Sequence, residues 1–384
     1  MKIIITGGIG SGRLTISKLL TKSLTGKTDI IQSVYCPHVS EIGDFHISGI
    51  DQIVESLYKD PEIKNLLLNK IGTCDKKVIS DKIFNGASQI EQLVTEIFNP
   101  FIKRNMDMLF SNFHNLIFEH HSFYNSPYKI NQPVTIVSVI CPINTRINRI
   151  KERDNISDSK IKNIISKQAS DKDNISIADI VIENSYEKND NILDPTKLRV
   201  ARAVDQIRKR IAKGSKIGIV SGSFDPITLG HTWVIQKALD LVDYVVVAIA
   251  NNNSKKYLLS SHDRELLVRD SLNEVLSKEQ LMRIIIDFIP ENELIVSYAE
   301  SIEAKFIFRG IRGFTDLEYE NQLNLLQKKI SPEVETVFFL TPRHLIEISS
   351  SLIKASMNLR EWEKVTGPYV TNCVLEKLRK LHET

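Results

Sequence analysis

Short apolar runs rich in Ile and Val alternate with longer amphipathic segments through both halves of the chain. In the first half, the run Lys2–Thr6 stops at a glycine loop and leads into a helical pattern at Leu14–Leu24. Further runs at Val134–Ile140 and Ile180–Ile182 are separated by a charged helical segment that reaches Gln168. Strands that alternate with helical patterns are typical of parallel sheets, so the first half is predicted to be α/β.

The second half is more regular and predicts a complete parallel sheet. Strands are expected at Ile217–Val220, Tyr244–Ala250, Arg283–Phe288, Phe306–Phe308 and Thr336–Leu340. Helices are expected between them, near 292–303 and 315–330 among others. Another helix begins at Ser260, with Asp263 as its partner in a capping box. This succession of strands and helices predicts a doubly wound, Rossmann-like domain.

A polar, turn-rich stretch at residues 183–195 and a basic helix at Thr196–Lys213 separate the two halves. Gly214 and Ser215 follow this helix and a new strand begins at once, which is typical of a helix end between domains. A chain of 384 residues is long enough for two domains. The predicted domains are therefore 1–213 and 214–384.

Composition excludes several classes of protein. The 50 Lys and Arg residues against 47 Asp and Glu give a net charge of only +3, which argues against a protein that coats nucleic acid. No apolar stretch is long enough for a transmembrane helix, so we expect no membrane partner. The cysteines at positions 36, 74, 141 and 373 have no disulfide-framework or metal-site spacing. A cytoplasmic protein is the expectation.

The string Gly222-Ser223-Phe224-Asp225-Pro226-Ile227-Thr228-Leu229-Gly230-His231 follows the first strand of the second half. Thr228 stands where an N-cap would, and His231 falls in the first turn of the next helix. The N-terminus of a helix attracts phosphate through its free N–H groups and its dipole. A histidine in that turn can donate a hydrogen bond to the same anion. The string therefore indicates a phosphate site at a strand end.

Three further segments in the second half add anion-binding groups at predicted strand ends. Asn253-Ser254-Lys255-Lys256 supplies a lysine as a point charge, and Arg309-Gly310-Ile311-Arg312 supplies guanidinium groups for bidentate phosphate contacts. Glu320 lies downstream, and Ser349, Ser350 and Ser351 follow the last strand. The segments contain no nucleophile–base pair. A phosphate monoester is mostly dianionic at pH 7 and needs no base to attack phosphorus, so the set of residues favours nucleotidyl transfer over hydrolysis.

Residues 216–380 resemble phosphopantetheine adenylyltransferase. The resemblance rests on Gly-Ser-Phe-Asp-Pro-Ile-Thr-x-Gly-His, Asn-Asn-x-Ser-Lys-Lys, Arg-Gly-Ile-Arg with Asp-x-Glu-Tyr-Glu, Ser-Pro-Glu-Val-Glu-Thr-Val-Phe and Ile-Ser-Ser-Ser. It implies that ATP and 4′-phosphopantetheine react to dephospho-CoA and pyrophosphate with Mg²⁺. It also implies a homo-oligomer, with a hexamer as the form suggested by the family.

The same resemblance implies roles for individual residues. His231, Lys255 and Arg309 would be catalytic. The substrate would be held by Ser223, Lys255, Ile295 and Arg309. ATP would be bound by a larger set: Ser223, Phe224, His231, Gly310, Ile311, Arg312, Glu320, Ser349, Ser350 and Ser351.

The first half carries a glycine-rich loop from Gly7 to Gly12 between a strand and a helix, the correct context for a P-loop. The loop, together with Ala-Asp-Ile-Val-Ile-Glu-Asn at 178–184, resembles dephospho-CoA kinase over roughly residues 1–212. Arg13 stands in place of the P-loop lysine, Leu14 in place of the metal-binding hydroxyl, and Thr15 is one residue off.

Two further kinase groups of the first half also depart from the resemblance. The base motif expected near residues 29–35 is reduced to Asp29, and the basic lid residue expected near 174 is Asn174. Loss of the lysine, the metal ligand and the base would remove most of the transition-state stabilisation on which phosphoryl transfer depends. The favoured hypothesis is therefore an adenylyltransferase preceded by a degenerate P-loop-kinase-like α/β domain.

Other hypotheses stay open at this point. One is a bifunctional enzyme that also phosphorylates dephospho-CoA through the first domain. Another is a nucleotide-sensing or scaffold protein without catalysis. A third keeps the fold but uses a different phosphorylated acceptor.

Overall fold

The computed structural model describes residues 1–25, 31–32, 40–42, 45–84, 86–121, 123–128, 130–185, 195–251, 255–347 and 349–383. The chain divides into two compact units, Met1–Val204 and Asp205–Thr384. The predicted boundary at 213–214 stays a prediction, since helix α9 (Pro195–Ile211) crosses from the first unit into the second. None of the helices in the described part of the chain combines the length and the hydropathy of a membrane span.

The described strands of the first unit form one sheet in the order β2-β3-β4-β5-β1-β6-β7. The five strands from β4 to β7 in this order run parallel, and β2 and β3 are antiparallel additions at one edge. The strands are β1 (Lys2–Thr6), β2 (Ile31–Gln32), β3 (Ser40–Ile42), β4 (Phe45–Gly49), β5 (Leu116–His120), β6 (Thr135–Ile140) and β7 (Ile180–Glu183). The helices before α9 are α1 (Arg13–Thr25), α2 (Ile50–Leu57), α3 (Pro61–Ile71), α4 (Lys76–Phe84), α5 (Ser88–Asn112), α6 (Ile143–Asp154), α7 (Asp158–Ser166) and α8 (Asp171–Ser176).

The second unit is a parallel sheet in the order β10-β9-β8-β11-β12. Its strands are β8 (Ile217–Gly222), β9 (Tyr244–Ile249), β10 (Ile284–Phe288), β11 (Phe306–Ile311) and β12 (Glu335–Leu340). Its helices are α10 (Leu229–Leu239), α11 (Ser261–Val275), α12 (Lys278–Met282), α13 (Ile295–Ser301), α14 (Phe314–Ile330), α15 (Ser350–Ser356), α16 (Trp362–Thr366) and α17 (Asn372–His382). The order of the strands reverses between β8 and β11, which is where open sheets of this kind bind ligands.

Apolar side chains on both faces of the second sheet explain why its strands were recognisable in the sequence. β9 is apolar along almost its whole length, as expected for a strand covered on both sides. Gly218 in β8 is needed where β8 meets β11, because a Cβ there would lie 2.2 Å from a ring carbon of Phe308. The fold thus brings the ends of β8 and β11 close together.

The strands predicted from the sequence agree with the structure more completely in the second unit than in the first. All five strands of the second half are confirmed, and β11 is longer than predicted, so that Arg309, Gly310 and Ile311 belong to the strand itself. In the first half β1, β6 and β7 are confirmed, but β4 and β5 were not predicted. Ser260 caps α11 as expected, because its hydroxyl oxygen accepts from the backbone N–H of Asp263. The Asp263 carboxylate accepts from the hydroxyl of Ser260, whereas in a capping box it would accept from the backbone N–H of that residue.

Candidate active site

A pocket of about 290 Å³ opens in the second unit at the carboxyl ends of β8 and β11. It therefore lies at the point where the strand order reverses. Its lining comes from both strand ends, the loop after β12 and the starts of α10 and α15, with one residue from α14: Val220, Ser221, Ser223, Thr228, Gly230, His231, Val234, Phe308, Arg309, Gly310, Arg312, Glu320, Thr341, Leu345, Ser349, Ser350 and Ser351.

A reciprocal capping box fixes the orientation of His231. Thr228 is the N-cap of α10, and its backbone N–H donates to Nδ1 of His231 over 3.0 Å. Nδ1 must be unprotonated to accept this bond, so the neutral ring carries its proton on Nε2. Burial and, second, the positive charge of Arg312 lower the pKa of His231 to about 4. His231 therefore offers a neutral Nε2–H donor over the whole physiological range of pH.

Arg309 in β11 and Arg312 directly after it supply positive charge to the pocket, and side chains of helix α14 contact both of them. Arg309 donates from Nη1 to the carbonyl of Ser221 over 3.0 Å, and its Nε lies 3.4 Å from Oε2 of Glu320. Arg312 Nε donates to Oδ2 of Asp316 over 2.7 Å, and this hydrogen bond lowers the pKa of the Asp316 carboxyl. Both guanidinium groups are thereby oriented before any anion arrives.

The serines at the start of α15 are partly committed to protein partners. Ser349 is the N-cap and accepts from the backbone N–H of Leu352 over 3.0 Å. The hydroxyl of Ser350 donates to the carbonyl of Pro226 over 2.8 Å and so joins α15 to the loop after β8. Their first role is therefore to hold one wall of the pocket in place.

Some residues that the sequence assigned to the site lie elsewhere. Lys255 is exposed and is not among the described residues that line the pocket. Ile295 begins α13 and packs against the core. The side chains of Phe224 and Ile311 are buried, and the ring of Phe224 contacts His231 at a centroid distance of 5.2 Å. Any contact of these two residues with a nucleotide would therefore involve their backbone.

Other expectations fall outside the described residues, and the pocket also contains residues that were not expected. Asn253, Ser254 and Ile348 are among the predicted residues that the structure does not describe. Thr341 and Leu345 line the pocket without having been predicted. The position of Thr341 directly after β12 is a signal that could have found it, because ligand-binding residues follow strand ends in this fold.

The glycine loop of the first unit has the backbone of a P-loop and is held by the unit's own side chains. Gly7, Gly10 and Gly12 have φ angles of 145°, 77° and 89°, which favour glycine. Asn184 donates from Nδ2 to the carbonyl of Ser11 over 2.7 Å. Three contacts of the same kind hold Ile9 and Gly10: Gln168 accepts from Ile9 N–H, Arg146 donates to the Ile9 carbonyl, and Arg149 donates to the Gly10 carbonyl.

The P-loop cation Arg13 already has partners within the unit. Arg13 donates from Nη1 to the carbonyl of Gly7, and its Nη2 lies 3.5 Å from Oδ2 of Asp51. Asp51 is in the first turn of α2, directly after the unpredicted strand β4. The described carboxylates that act on the charge of Arg13 are therefore those of Asp51 and Glu119, whereas the predicted Asp29 lies outside the described residues.

The other P-loop departures have plain structural outcomes. Leu14 and Thr15 are both exposed on α1. Asn174 is fully buried and accepts from the hydroxyl of Thr6 over 3.1 Å, which gives it a packing role between α8 and β1.

The two units match different families in comparison with known proteins. Residues 219–356 match the cytidylyltransferase-like family, and residues 1–190 match the dephospho-CoA kinase family. A phosphopantetheine adenylyltransferase from Chromobacterium violaceum is 35% identical over 167 residues, which are 44% of this chain and 98% of that protein.

Two further relatives of the same name agree with this match. The protein from Neisseria meningitidis is 34% identical over 165 residues, covering 43% of this chain and 93% of that protein. The protein from Desulfotalea psychrophila is 40% identical over 164 residues, covering 42% of this chain and 93% of that protein. The chain belongs to the phosphopantetheine adenylyltransferase family.

Proposed function

We propose that the second unit transfers the adenylyl group of ATP to 4′-phosphopantetheine and releases pyrophosphate. The observation that carries the proposal is the pocket at the strand-order reversal, where a neutral histidine donor, two oriented arginines and the N-terminus of α10 surround one space. These groups bind and stabilise phosphate charge. The hydroxyl of Thr228 lies 2.9 Å from Nδ1 of His231 and belongs to the cap of α10, so this pair holds the helix and does not point to a hydrolytic nucleophile.

The proposed reaction needs positioning more than proton transfer. A phosphate oxygen of the acceptor attacks the α-phosphorus of ATP, a new P–O bond forms, and the bond from the α-phosphorus to the leaving pyrophosphate breaks. The acceptor phosphate is already deprotonated at pH 7. Nε2–H of His231 would donate to the phosphoryl oxygens as charge moves towards pyrophosphate, and Arg309 and Arg312 would neutralise that charge.

The donor set of the pocket does not fit a metal site built by the protein alone. Glu320 is the carboxylate among the described lining residues, and Arg309 pairs with it. The described residues also contain no cluster of three His, Cys, Asp or Glu side chains suited to a metal. We therefore propose that Mg²⁺ enters with the phosphates of ATP, which commonly carry it.

The proposal is tested by mass spectrometry of the products that the full-length protein forms. ATP with 4′-phosphopantetheine is expected to give dephospho-CoA and pyrophosphate, and ATP alone is expected to give no pyrophosphate. Tight ATP binding without product would contradict the proposal and favour a nucleotide-sensing role. If an adenylylated product forms with another phosphorylated acceptor and none forms with 4′-phosphopantetheine, the proposed substrate is wrong and the proposed reaction type stands.

Phosphorylation of dephospho-CoA by the first unit is the second candidate function, favoured by the match of residues 1–190 to dephospho-CoA kinase. We propose that this activity is lost. Arg13 is bonded to the Gly7 carbonyl and lies 3.5 Å from Asp51, and its bulky guanidinium fork does not replace a lysine that folds over the β- and γ-phosphates. Leu14 cannot ligate a metal. Dephospho-CoA and ATP should therefore give no CoA with the full-length protein, and formation of CoA and ADP would restore the bifunctional reading.

We also propose that the second unit assembles with further copies of itself through α14. All of α14 is described, and none of its side chains is buried. Large apolar residues lie exposed on it in two stripes with helical spacing, one at Phe314, Leu317 and Leu325 and the other at Tyr319, Leu326 and Ile330. Two separate stripes suit a ring in which each helix contacts two neighbours. The same helix holds Arg309 and Arg312, so assembly would also steady the pocket.

Charge placed on either stripe should break the assembly. Leu325→Glu and Ile330→Glu are each expected to lower the mass measured by size-exclusion chromatography with light scattering, because a buried unpaired carboxylate is costly. Leu359→Glu is the control, since Leu359 is 53% exposed in the same unit, comparable to 59% for Leu325. A monomeric wild-type protein, or an unchanged mass for both stripe variants, would contradict the proposal.

A further inference from the structure

Arg264 is a buried cation whose bonds go to the backbone beside the pocket. It lies on the first turn of α11 and is only 1% exposed. Its Nη1 donates to the carbonyl of Ser223 over 2.7 Å and to the carbonyl of Ala250 over 3.1 Å. Its Nη2 donates to Oδ1 of Asn251 and to the hydroxyl of Ser261. One guanidinium group thereby joins the segment that follows β8 to the segment that follows β9.

The same guanidinium group also supports the segment that contains Lys255. Its face packs on the ring of Tyr257 with 4.2 Å between the guanidinium carbon and the ring centroid. Asp225 forms a second brace, since its buried carboxylate accepts from the backbone N–H groups of Leu258 and Leu259 over 3.0 and 2.9 Å. The loop after β8 and the segment at 255–259 are thus fixed to each other from two sides.

Arg269 on the same helix shows what a purely structural arginine looks like in this unit. It lies one and a half turns further along α11, its side chain is 13% exposed, and it pairs with the carboxylates of Asp205 and Glu265 at 2.6 and 2.8 Å. The hydrogen bonds of Arg264 instead go to two carbonyls, an amide oxygen and a hydroxyl. Burial lowers the pKa of Arg264, which reflects the cost of placing this charge away from water. A fork of donors aimed at loop carbonyls is suited to fixing backbone geometry.

We propose that Arg264 is a positioning residue for the acceptor phosphate, acting through Ser223 and the segment that carries Lys255. The proposal rests on the proposed function and on the roles that the resemblance implies for Ser223, which lines the pocket, and for Lys255, which lies exposed outside it, as the groups that hold the phosphate of 4′-phosphopantetheine. Ser223 comes from the loop after β8 and Lys255 from the loop after β9, so their separation depends on how these loops are tied. A shift of about 1 Å in such a group is enough to cost a large factor in binding or rate.

The test compares Arg264→Lys with Arg269→Lys in the full-length protein. Calorimetry with 4′-phosphopantetheine measures acceptor affinity without requiring turnover, and steady-state assays give KM for each substrate. We expect Arg264→Lys to weaken acceptor binding at least tenfold, because lysine keeps the charge and loses the fork. KM for ATP should change by a smaller factor, because Lys255 is expected to hold only the acceptor whereas Ser223 is expected to contact both substrates. Arg269→Lys is expected to lower thermal stability and leave acceptor affinity unchanged. Arg264→Ala should regain acceptor affinity when low concentrations of guanidinium are added.

The possible outcomes distinguish a failure of the positioning role of Arg264 from a failure of the proposed adenylyl transfer. If Arg264→Lys loses as much affinity for ATP as for the acceptor, Arg264 acts only on stability. The same conclusion follows if Arg269→Lys loses as much acceptor affinity as Arg264→Lys does. Either result would overturn the positioning role. A wild-type protein that binds 4′-phosphopantetheine but forms no dephospho-CoA would overturn the proposed function and leave the affinity comparison decisive for Arg264. A wild-type protein that does not bind the acceptor would overturn both.

Discussion

Replacement of His231 by asparagine is expected to lower kcat for adenylyl transfer by about 10²–10³ with little loss of stability. The imidazole has two separate tasks in the structure. Nδ1 accepts the backbone N–H of Thr228 over 3.0 Å and completes the cap of α10. Nε2 then carries the ring proton, and this N–H is the donor that the proposed reaction uses. An asparagine amide can take over the acceptor at the position of Nδ1 but supplies no donor at the position of Nε2.

Glutamine at position 231 is the matched variant, because its longer side chain places an amide N–H near the position of Nε2. We expect His231→Gln to retain more of the rate than His231→Asn, and His231→Asn to retain more stability than His231→Gln. Single-turnover rates and denaturant unfolding of both variants measure the two effects. A rate for His231→Asn close to that of the wild type would contradict the role of the donor. Loss of folding in both variants would restrict His231 to the capping role.

The low pKa of His231 also predicts a pH dependence with a definite sign. The folded state keeps the ring neutral down to about pH 4, whereas the unfolded chain takes up the proton near its ordinary pKa of 6.5. Between these values the unfolded state binds more protons, so the free energy of unfolding falls as the pH falls through this window. His231→Asn should lose this part of the acid dependence. The wild-type rate should show no titration of His231 above pH 5, since the donor is the neutral ring.

The sequence predicted most of the candidate site because its residues follow strands that are apolar on both faces. Thr228 and His231 lie within one continuous string, so their capping box could be anticipated from spacing alone. Arg309 and Glu320 were both expected at the site, but their pairing was not, because contact between a strand and the following helix depends on how that helix packs. Arg264 gave no sequence signal, since a lone arginine in a helical pattern is typical of an exposed surface.

The first unit was harder to predict because its central strands are short and contain polar residues. β5 reads Leu-Ile-Phe-Glu-His, and the following residue is also histidine, so the apolar run is brief. β4 leads directly into α2 and places Asp51 beside Arg13, a proximity that depends on the unpredicted β4–β5 pairing. The sequence could therefore show that the P-loop lysine was missing. It could not show that the arginine in its place is engaged by a carboxylate of the same unit.

Replacement of Arg309 by methionine is expected to lower kcat/KM by about 10²–10³, the second large effect. Methionine keeps much of the apolar length of the side chain and removes the guanidinium group. Two losses then coincide in the pocket. The phosphates lose a bidentate donor, and the carboxylate of Glu320, 3.4 Å from Nε in the wild type, is left unpaired where the phosphates would bind. Glu320→Gln alone should cost about tenfold or less, since Arg309 keeps its bond to the carbonyl of Ser221.

The double variant Arg309→Met/Glu320→Gln separates these two losses. If the unpaired carboxylate repels the phosphates, the double variant will be more active than Arg309→Met alone, and the interaction free energy of the cycle will be favourable to the pair. Steady-state kinetics of the four proteins measure this coupling, and unfolding in denaturant controls for stability. Additive losses would mean that Arg309 acts on the phosphates independently of Glu320. A double variant weaker than the product of the single effects would assign Glu320 a contact with the nucleotide of its own.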